Sequence, residues 1–169
     1  LRFFLGDVRD LPRLKRALTG ITTVIHASAL KRLDAGEYNP SEVIKTNILG
    51  SMNIVDATID CGVTRVLGVS SDKACDPVNL YGATKLTMEK LFLHAGSYSG
   101  WEGTRFGCVR YGNVFGSRGS VVCRFLAEKK SGSVTISDPE ATRFWITMPK
   151  AVAFVLSSTE SLVGGQLFV

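Results

Sequence analysis

Short apolar runs alternate with helix-like segments along this sequence of 169 residues, and that alternation restricts the possible folds more than any other feature. The runs LRFFL, TTVIHASA, RVLGVSS and TRFGCVRYGNVFG are apolar, and many of their residues are branched or aromatic, as in strands. Strands separated by helices at this spacing form parallel sheets with helices packed on both faces. The sequence therefore predicts an α/β fold built on a doubly wound parallel sheet.

The helical segments between these runs have recognisable ends. Pro12 lies near the start of the first helix, and Gly62 is the expected stop of a long second helix from about Ser41 to Cys61. A third helix carries Tyr81 and runs to about His94. The later predicted elements are a helix at 120–132, a short strand at 133–137, a helix at 148–159 and a closing strand at 164–169.

Bulk composition limits the classes of function. The hydrophobic fraction is 45%, and no apolar run reaches the ~18–20 residues that span a bilayer. We find no signal peptide, so we expect a cytoplasmic location and no membrane partner. The net charge is +5, but the basic residues are scattered and are not interleaved with aromatic ones, so no nucleic-acid partner is expected. The four cysteines lack metal-site spacing and are expected to be free thiols, and no metal site is predicted.

Small and polar residues follow each of the four predicted strands. They are Gly6-Asp7, His26-Ala27-Ser28-Ala29, Ser70-Ser71-Asp72-Lys73 and Tyr111-Gly112-Asn113. Because ligands bind beyond the carboxyl ends of the strands in such sheets, these segments together predict one binding cleft.

One part of a dinucleotide-binding sheet is not found in the sequence. Such sheets normally begin with a strand followed by GxGxxG, and this sequence has neither ahead of Leu1. The late segment GNVFGSRG has the wrong glycine spacing and is interpreted as a loop. We therefore expect a sheet that lacks its first βαβ unit.

Tyr81 and Lys85 stand one helical turn apart on the same face of the third helix. A free tyrosine has a pKa near ~10, and a lysine ammonium together with an oxidised nicotinamide would lower that pKa by ~3, which takes ~4 kcal/mol. The phenolate would then accept a hydroxyl proton while hydride leaves the same carbon, and Ser71 would hydrogen-bond that hydroxyl. The pair is a candidate catalytic base, and the alternative is an ordinary pair on a helix surface.

The segment SSDKACDPVNLYGATKLTMEKLF resembles the extended short-chain dehydrogenase/reductase family. Within that family it is similar to the UDP-N-acetylglucosamine 4,6-dehydratases that invert C5 and open pseudaminic acid biosynthesis. The blocks GDVRD, VIHASALKRLDAGEYNPSEVIKTNILGSMNIVDA, VRYGNVFGSRGSVV and TRFWITM carry the same resemblance. It implies a Rossmann-like fold, with residues 1–169 as a partial NAD(P)-binding domain and residues 113–169 including elements of a small substrate-binding region.

The resemblance also implies roles for individual residues. Asp7 would meet the adenine amino group, Ala27 and Ala29 would let the backbone pass the cofactor, and Asn47 would steady the active site. Tyr81 and Lys85 would hold the nicotinamide ribose and assist oxidation at C4. The full implied cofactor-binding set is Asp7, Ala27, Ser28, Ala29, Asn47, Ser70, Tyr81, Lys85, Tyr111 and Asn113.

Asp72 and Lys73 match the pair that carries the dehydration in that family. Once C4 is a ketone the C5 proton is acidic, so Lys73 would remove it as a neutral amine while protonated Asp72 protonates the departing C6 hydroxyl. Which of the two is acid and which is base stays open. Hydride would then return to C6 while C5 is reprotonated on the opposite face, which regenerates the cofactor, NADP or NAD. The implied catalytic set is Ser71, Asp72, Lys73, Tyr81 and Lys85.

The expected substrate is a UDP-sugar for surface polysaccharide or flagellin glycan synthesis, and the full-length protein is expected to be a homo-oligomer. Candidate contacts to the diphosphate are Asn113 and Arg143, followed by Arg118 and Lys31, because a guanidinium fork binds two oxygens at once.

Two other interpretations remain open. The chain could be a truncated, non-catalytic relative that cannot hold the cofactor, or a related epimerase, although epimerases typically lack the Asp72-Lys73 pair. Among the remaining polar residues, His26 is interpreted as a satisfied core or cofactor-adjacent histidine and not as a ligand, and Glu89-Lys90 as a solvated helix face.

Overall fold

Six strands and eight α-helices organise the part of the chain that this computed structural model describes, which is residues 1–100, 103–117, 119–136 and 138–169. A π-helical turn covers Lys45–Leu49, and 3-10 turns cover Asp72–Ala74 and Lys129–Ser131. The strands are β1 (Thr23–His26), β2 (Arg65–Val69), β3 (Arg105–Val109), β4 (Asn113–Val114), β5 (Trp145–Ile146) and β6 (Gln166–Phe168). The helices are α1 (Leu11–Leu18), α2 (Leu33–Tyr38), α3 (Pro40–Ile44), α4 (Gly50–Asp60), α5 (Leu80–His94), α6 (Gly96–Ser99), α7 (Val121–Glu128) and α8 (Met148–Glu160).

The central sheet is parallel, with the strand order β1-β2-β3-β6. Its register pairs His26 with Gly68 and Val69 with Val109, so β1, β2 and β3 end within one residue of one another. Strands β4 and β5 form a separate two-stranded parallel sheet. The loops that follow β1, β2 and β3 therefore leave the central sheet along one edge.

Helices cover both faces of the central sheet. Val66, Phe106 and Cys108 pack on one face against α4 and α5, where Phe92 is fully buried. Residues of the opposite parity point the other way, so Leu67 and Val109 pack against Val155 of α8 and against Leu162. This arrangement confirms the prediction of a doubly wound parallel sheet. Among the helices of the described residues, none is both long enough and apolar enough to cross a bilayer.

Most helix boundaries follow the sequence signals. Asp10 caps α1, accepting a hydrogen bond from the Arg13 amide at 3.0 Å, and Gly62 ends α4 with a φ of +67°. The long helix predicted from Ser41 to Cys61 is present, but the π-helical turn divides it. The strand predicted at 133–137 is wrong for 133–136, which are irregular; Ser137 lies outside the described residues.

The predicted first strand, residues 1–5, is also wrong. These residues are irregular, and the side chains of Leu1, Phe3 and Leu5 are exposed. The carbonyl of Leu5 accepts its hydrogen bond from the Arg13 side chain, at 2.8 Å from Nε, and not from a neighbouring strand. Apolar composition favours a strand, but a strand also needs a partner for its backbone hydrogen bonds, and none of the described residues supplies one here.

Candidate active site

A cleft of about 980 Å³ lies beyond the carboxyl ends of β1, β2 and β3. Three of the four polar segments expected at strand ends contribute to its walls. The fourth, Gly6-Asp7, does not, since no strand precedes it. The walls include Ala27, Ala29, Lys31, Ser70, Ser71, Lys73, Tyr81, Lys85, Tyr111, Asn113, Arg143 and Trp145.

Ser71, Asp72 and Lys73 form a tight turn directly after β2. Ser71 caps the 3-10 turn by accepting a hydrogen bond from the Lys73 amide at 3.3 Å, and its hydroxyl donates to Oδ1 of Asp72 at 2.9 Å. The backbone amide of Asp72 donates to the carbonyl of Tyr111 at 3.0 Å, which fastens this turn to the segment after β3. The turn therefore has one backbone conformation with its side chains held against each other.

Asp72 and Lys73 form an ion pair inside the cleft. Nζ of Lys73 lies 3.0 Å from Oδ1 of Asp72 and donates a second hydrogen bond to Oδ1 of Asn113 at 2.9 Å. Partial burial raises the pKa of Asp72, but the hydrogen bonds from Lys73 and Ser71 outweigh this effect, so the pKa lies below its usual value. The carboxylate form of Asp72 is consequently favoured at neutral pH.

Helix α5 carries Tyr81 and Lys85, and its first turn packs directly on the Asp72–Lys73 turn. Asn79 caps the helix, accepting from the Gly82 amide at 2.8 Å, and Glu37 accepts from the Leu80 amide at 2.8 Å. A Cβ at Gly82 would overlap the carbonyl oxygen of Lys73. Glycine at this position therefore allows the phenol of Tyr81 to share one cleft with the ion pair.

The pKa of Tyr81 differs from the sequence-based expectation of a lowered value. Burial raises it, and the nearby Tyr111 and Asp72 raise it further, while a hydrogen bond with Ser71 opposes the change, so the pKa is about 12. Lys85 does not lower this pKa. Its ammonium donates to the carbonyl of Val69 at 2.6 Å. The protein groups alone thus hold Tyr81 as a neutral phenol.

Lys85 is almost completely buried, at 3% exposure. Burial lowers its pKa to about 8, and the nearby Cys108 and Glu89 partly oppose that change. His26 is buried on β1 at hydrogen-bonding distance from Ser51, with 3.2 Å between Nε2 and Oγ, and its ring stacks on Phe92. This confirms His26 as a satisfied core residue. Burial and the charge of Lys85 lower its pKa to about 4.

Asn47 lies in the π-helical turn and is buried. Its side chain makes two hydrogen bonds with the backbone of Leu30, accepting from N at 2.8 Å and donating to O at 3.0 Å. It also donates to Oγ1 of Thr84 on α5 at 3.0 Å. Asn47 thus ties the loop after β1, which lines the cleft, to the helix that carries Tyr81.

Glu89 corrects the interpretation of Glu89-Lys90 as a solvated helix face. Lys90 is exposed, but Glu89 is 1% exposed. Its carboxylate accepts hydrogen bonds from the hydroxyl of Ser70 at 2.5 Å and from both Nε and Nη2 of Arg110. A buried charge costs several kcal/mol unless it is paired, and Arg110 provides that pairing across the helix–sheet boundary.

The other residues selected from the sequence lie in several places. Lys31 and Arg143 border the cleft and are exposed. Ser28 is exposed in the loop after β1. Asp7 lies away from the cleft, where Arg9 engages both of its carboxylate oxygens and lowers its pKa to about 2. Arg118 lies outside the described residues.

Trp145, which was not among the predicted site residues, also borders the cleft. It pairs with Asn113 through the β4–β5 register and packs edge to face on Phe115, with 5.8 Å between ring centroids. The segment TRFWITM contains it, two positions after Arg143, but its place in the cleft depends on the pairing of β4 with β5.

A family model described as "Polysaccharide biosynthesis protein" matches residues 1–169. The chain is 50% identical over 171 residues to a UDP-N-acetylglucosamine 4,6-dehydratase (inverting) from Campylobacter jejuni, covering all of this chain and 51% of that protein. The chain therefore spans about half the length of this curated relative.

Solved structures share the fold. The X-ray structure of Pen from Bacillus thuringiensis superposes with a TM-score of 0.94 at 38% identity, covering 98% of this chain and 52% of that one. A Thermus thermophilus UDP-glucose 4-epimerase, solved in complex with NAD, superposes with a TM-score of 0.82 at 22% identity. That match covers 97% of this chain and 62% of the epimerase.

Proposed function

The chain belongs to the polysaccharide biosynthesis protein family of short-chain dehydrogenase/reductases, and from that premise we propose a 4,6-dehydratase function for the full-length protein. Its substrate would be UDP-N-acetylglucosamine, and its product a UDP-4-keto-6-deoxy-N-acetylhexosamine inverted at C5. We further propose NADP or NAD as cofactor, a cytoplasmic homo-oligomer as the working form, and surface polysaccharide or flagellin glycan synthesis as the pathway. The 50% identity to the inverting dehydratase from Campylobacter jejuni supports this assignment.

The ion pair between Asp72 and Lys73, in one cleft with Tyr81, carries the proposal. Elimination of water from a 4-keto sugar needs a base at C5 and an acid at the C6 hydroxyl. In this pair a proton could pass directly from Nζ of Lys73 to Oδ1 of Asp72, which lie 3.0 Å apart. Transfer of that proton to Asp72 produces a neutral amine and a carboxylic acid together, which are the two forms that elimination requires.

Asn113 and Ser71 would hold the pair in place for this step. Asn113 accepts from Nζ of Lys73 at 2.9 Å, and Ser71 donates to the carboxylate of Asp72 at 2.9 Å. Each charged group therefore has a fixed direction before substrate arrives. Such preorganisation is a major source of electrostatic rate acceleration.

The residues at the cleft fit the nicotinamide end of a dinucleotide. Ala27 and Ala29 present small side chains after β1, so a ligand could approach the backbone there, and Tyr81 and Lys85 border the same space. When bound, the cofactor would accept hydride from C4 and return it to C6. Tyr81 would take the C4 hydroxyl proton. With its pKa at about 12, the phenol needs a further cation beside it to do so at neutral pH.

Arg143 and Lys31 are proposed to contact the substrate diphosphate. Both are exposed cations at the border of the cleft, which Asn113 and Trp145 also border. Arg118 remains a third candidate on sequence grounds alone.

The proposal is tested with the full-length protein, UDP-N-acetylglucosamine and NADP in heavy water. We expect loss of water and incorporation of one deuteron at C5, observed by mass spectrometry and NMR of the product. Recovery of the C4 epimer with no loss of water would instead show an epimerase. Recovery of unchanged substrate, with no cofactor bound in a calorimetric titration, would show a non-catalytic relative.

A further inference from the structure

We propose that Glu89 is a positioning residue for the active site, whose buried carboxylate keeps Lys85 cationic and fixes α5 against the ends of β2 and β3. The kinetic consequences of this inference rest on the proposed function. The geometry that motivates the inference does not depend on that function. Glu89 borders no part of the cleft and would touch neither substrate nor cofactor. It would act only through Lys85.

Glu89 joins three elements at one carboxylate. It lies on α5 one turn after Lys85, so the two side chains share a helix face. Ser70, the first residue after β2, donates its hydroxyl to Oε1, and Arg110, the first residue after β3, binds both oxygens. Lys85 itself donates to the carbonyl of Val69, the last residue of β2. The carboxylate of Glu89 and the ammonium of Lys85 thus both bind the end of β2, at the adjacent residues Ser70 and Val69.

Other titratable groups face Lys85 from the packed elements, and they do not replace Glu89. His26 on β1 is buried, and with a pKa of about 4 it is neutral. Cys108 on β3 is buried, and with a pKa of about 12 it is a neutral thiol. Tyr81 is a neutral phenol. Glu89, which is ion-paired with Arg110, is therefore the remaining acidic group beside Lys85, and without it burial would lower the pKa of Lys85 further.

Arg110 has a different part in the arrangement. Its guanidinium satisfies the carboxylate of Glu89, which would otherwise be a buried unpaired charge. Cys108 and Glu89 both raise the pKa of Lys85, but with its own pKa at about 12 Cys108 carries no charge at neutral pH, which leaves Glu89. Arg110 is not among the groups that shift the pKa of Lys85, so removal of both members of the pair should still lower that pKa.

The direct test measures Lys85 itself in the full-length, cofactor-free protein. Lysine labelled with ¹³C at Cε is titrated by NMR, and the Lys85 signal is assigned with K85R. The variants are E89Q, which removes the charge but keeps the shape, and E89D, which keeps a carboxylate. E160Q, at the exposed end of α8, is the matched control. We expect the Lys85 midpoint near pH 8 in the unchanged protein and about one pH unit lower, a tenfold change, in E89Q.

We expect E89D and E160Q to stay close to the unchanged protein. A midpoint in E89Q equal to that of the unchanged protein, or an equal fall in E89D, overturns the inference. Should E89Q fail to fold, the double variant E89Q/R110Q leaves no unpaired buried ion, and the same criterion applies: a fall supports the inference and an unchanged midpoint overturns it.

The kinetic test separates this inference from the proposed function. If the full-length protein dehydrates UDP-N-acetylglucosamine, E89Q should shift the alkaline limb of its pH–rate profile to lower pH, because Lys85 loses its proton at lower pH. A purely structural role would reduce the rate at every pH without moving that limb, and would count against the inference. If the protein does not dehydrate the sugar, the proposed function fails, and the NMR midpoint still decides the role of Glu89.

Discussion

At the scale of single residues, substitution of Asp72 should separate the two stages of the proposed reaction, which are oxidation at C4 and loss of water. The variant D72N keeps the size of the side chain but removes the charge that holds Lys73 at 3.0 Å. We expect the dehydration rate to fall by roughly 10²–10⁴, the usual contribution of a positioned acid or base. Oxidation at C4 should continue, so reduced cofactor should accumulate in a single-turnover absorbance trace. The control is D56N, an exposed residue of α4, which should react normally.

A loss of the reduced-cofactor signal in D72N would contradict this division, because it would place Asp72 in the first stage. That stage depends on a different side chain.

Tyr81 governs the first stage at the same scale. The variant Y81F removes the hydroxyl that would take the C4 proton, in a cleft where burial has already raised its pKa to about 12. We expect oxidation to slow by roughly 10²–10⁴, with no reduced cofactor detected in the trace that shows it for D72N. The matched control is Y98F, an exposed tyrosine at 71% exposure. Accumulation of reduced cofactor in Y81F would assign the first proton transfer to another group.

At the scale of elements, the contact between α5 and the Asp72–Lys73 turn decides whether the site assembles. The variant G82A places a methyl group against the carbonyl oxygen of Lys73, which is backbone and cannot move aside cheaply. We expect a loss of about 1–3 kcal/mol in the free energy of unfolding, as for other overpacked contacts, and a larger loss of dehydration activity. Chemical denaturation and steady-state kinetics measure the two effects.

The control for this element is A83S, which changes the exposed side of the same helical turn. Unaltered activity in G82A would mean that the turn tolerates displacement, and that the close approach of α5 has no functional role.

The elements show which parts of the site follow from local sequence. Helix α5 could be predicted because its cap and its periodicity depend on neighbouring residues, and those same signals put Tyr81 and Lys85 on one face. The burial of Glu89 could not be predicted from local sequence, because its partner Arg110 lies 21 residues away on the far side of a strand. A charged residue without a visible partner is by default assigned to the surface.

Pairing between distant segments explains the other differences. Residues 1–5 have the apolar composition of a strand, but hydrogen bonds from a second strand are needed to form one, and composition does not reveal them. Trp145 reaches the cleft only because β5 pairs with β4 across 30 intervening residues. The raised pKa of Tyr81 likewise follows from burial, which is a property of the assembled cleft.

At the scale of the whole molecule, the packing of α4 and α5 on one face of the sheet buries a titratable side chain. The face that carries α4 and α5 encloses His26 beside Phe92 at 3% exposure, with Ser51 as its hydrogen-bond partner. Its neutral ring is well accommodated there, but a cation would meet both desolvation and the charge of Lys85. This single buried ring therefore links the stability of the entire fold to pH.

The sign of that link follows from the two pKa values of His26. The pKa is about 4 in the folded protein and 6.5 in the unfolded chain, so the unfolded chain binds the extra proton between these values. The contribution to stability is complete above pH 6.5 and is lost as the pH falls toward 4. At 1.36 kcal/mol for each pKa unit, about 3 kcal/mol of unfolding free energy is at stake.

Denaturant titrations at pH 7, 5.5 and 4 measure this loss, with H26Q as the control. Glutamine keeps a polar side chain facing Ser51 but cannot titrate, so the variant should be less stable at pH 7 and should lose about 3 kcal/mol less on acidification. Carboxylates such as Asp72, whose pKa is lowered, titrate in both proteins and cancel in the difference. Parallel pH dependences in the two proteins would show that the pKa of His26 is the same in the folded and the unfolded protein, which would contradict the lowered pKa.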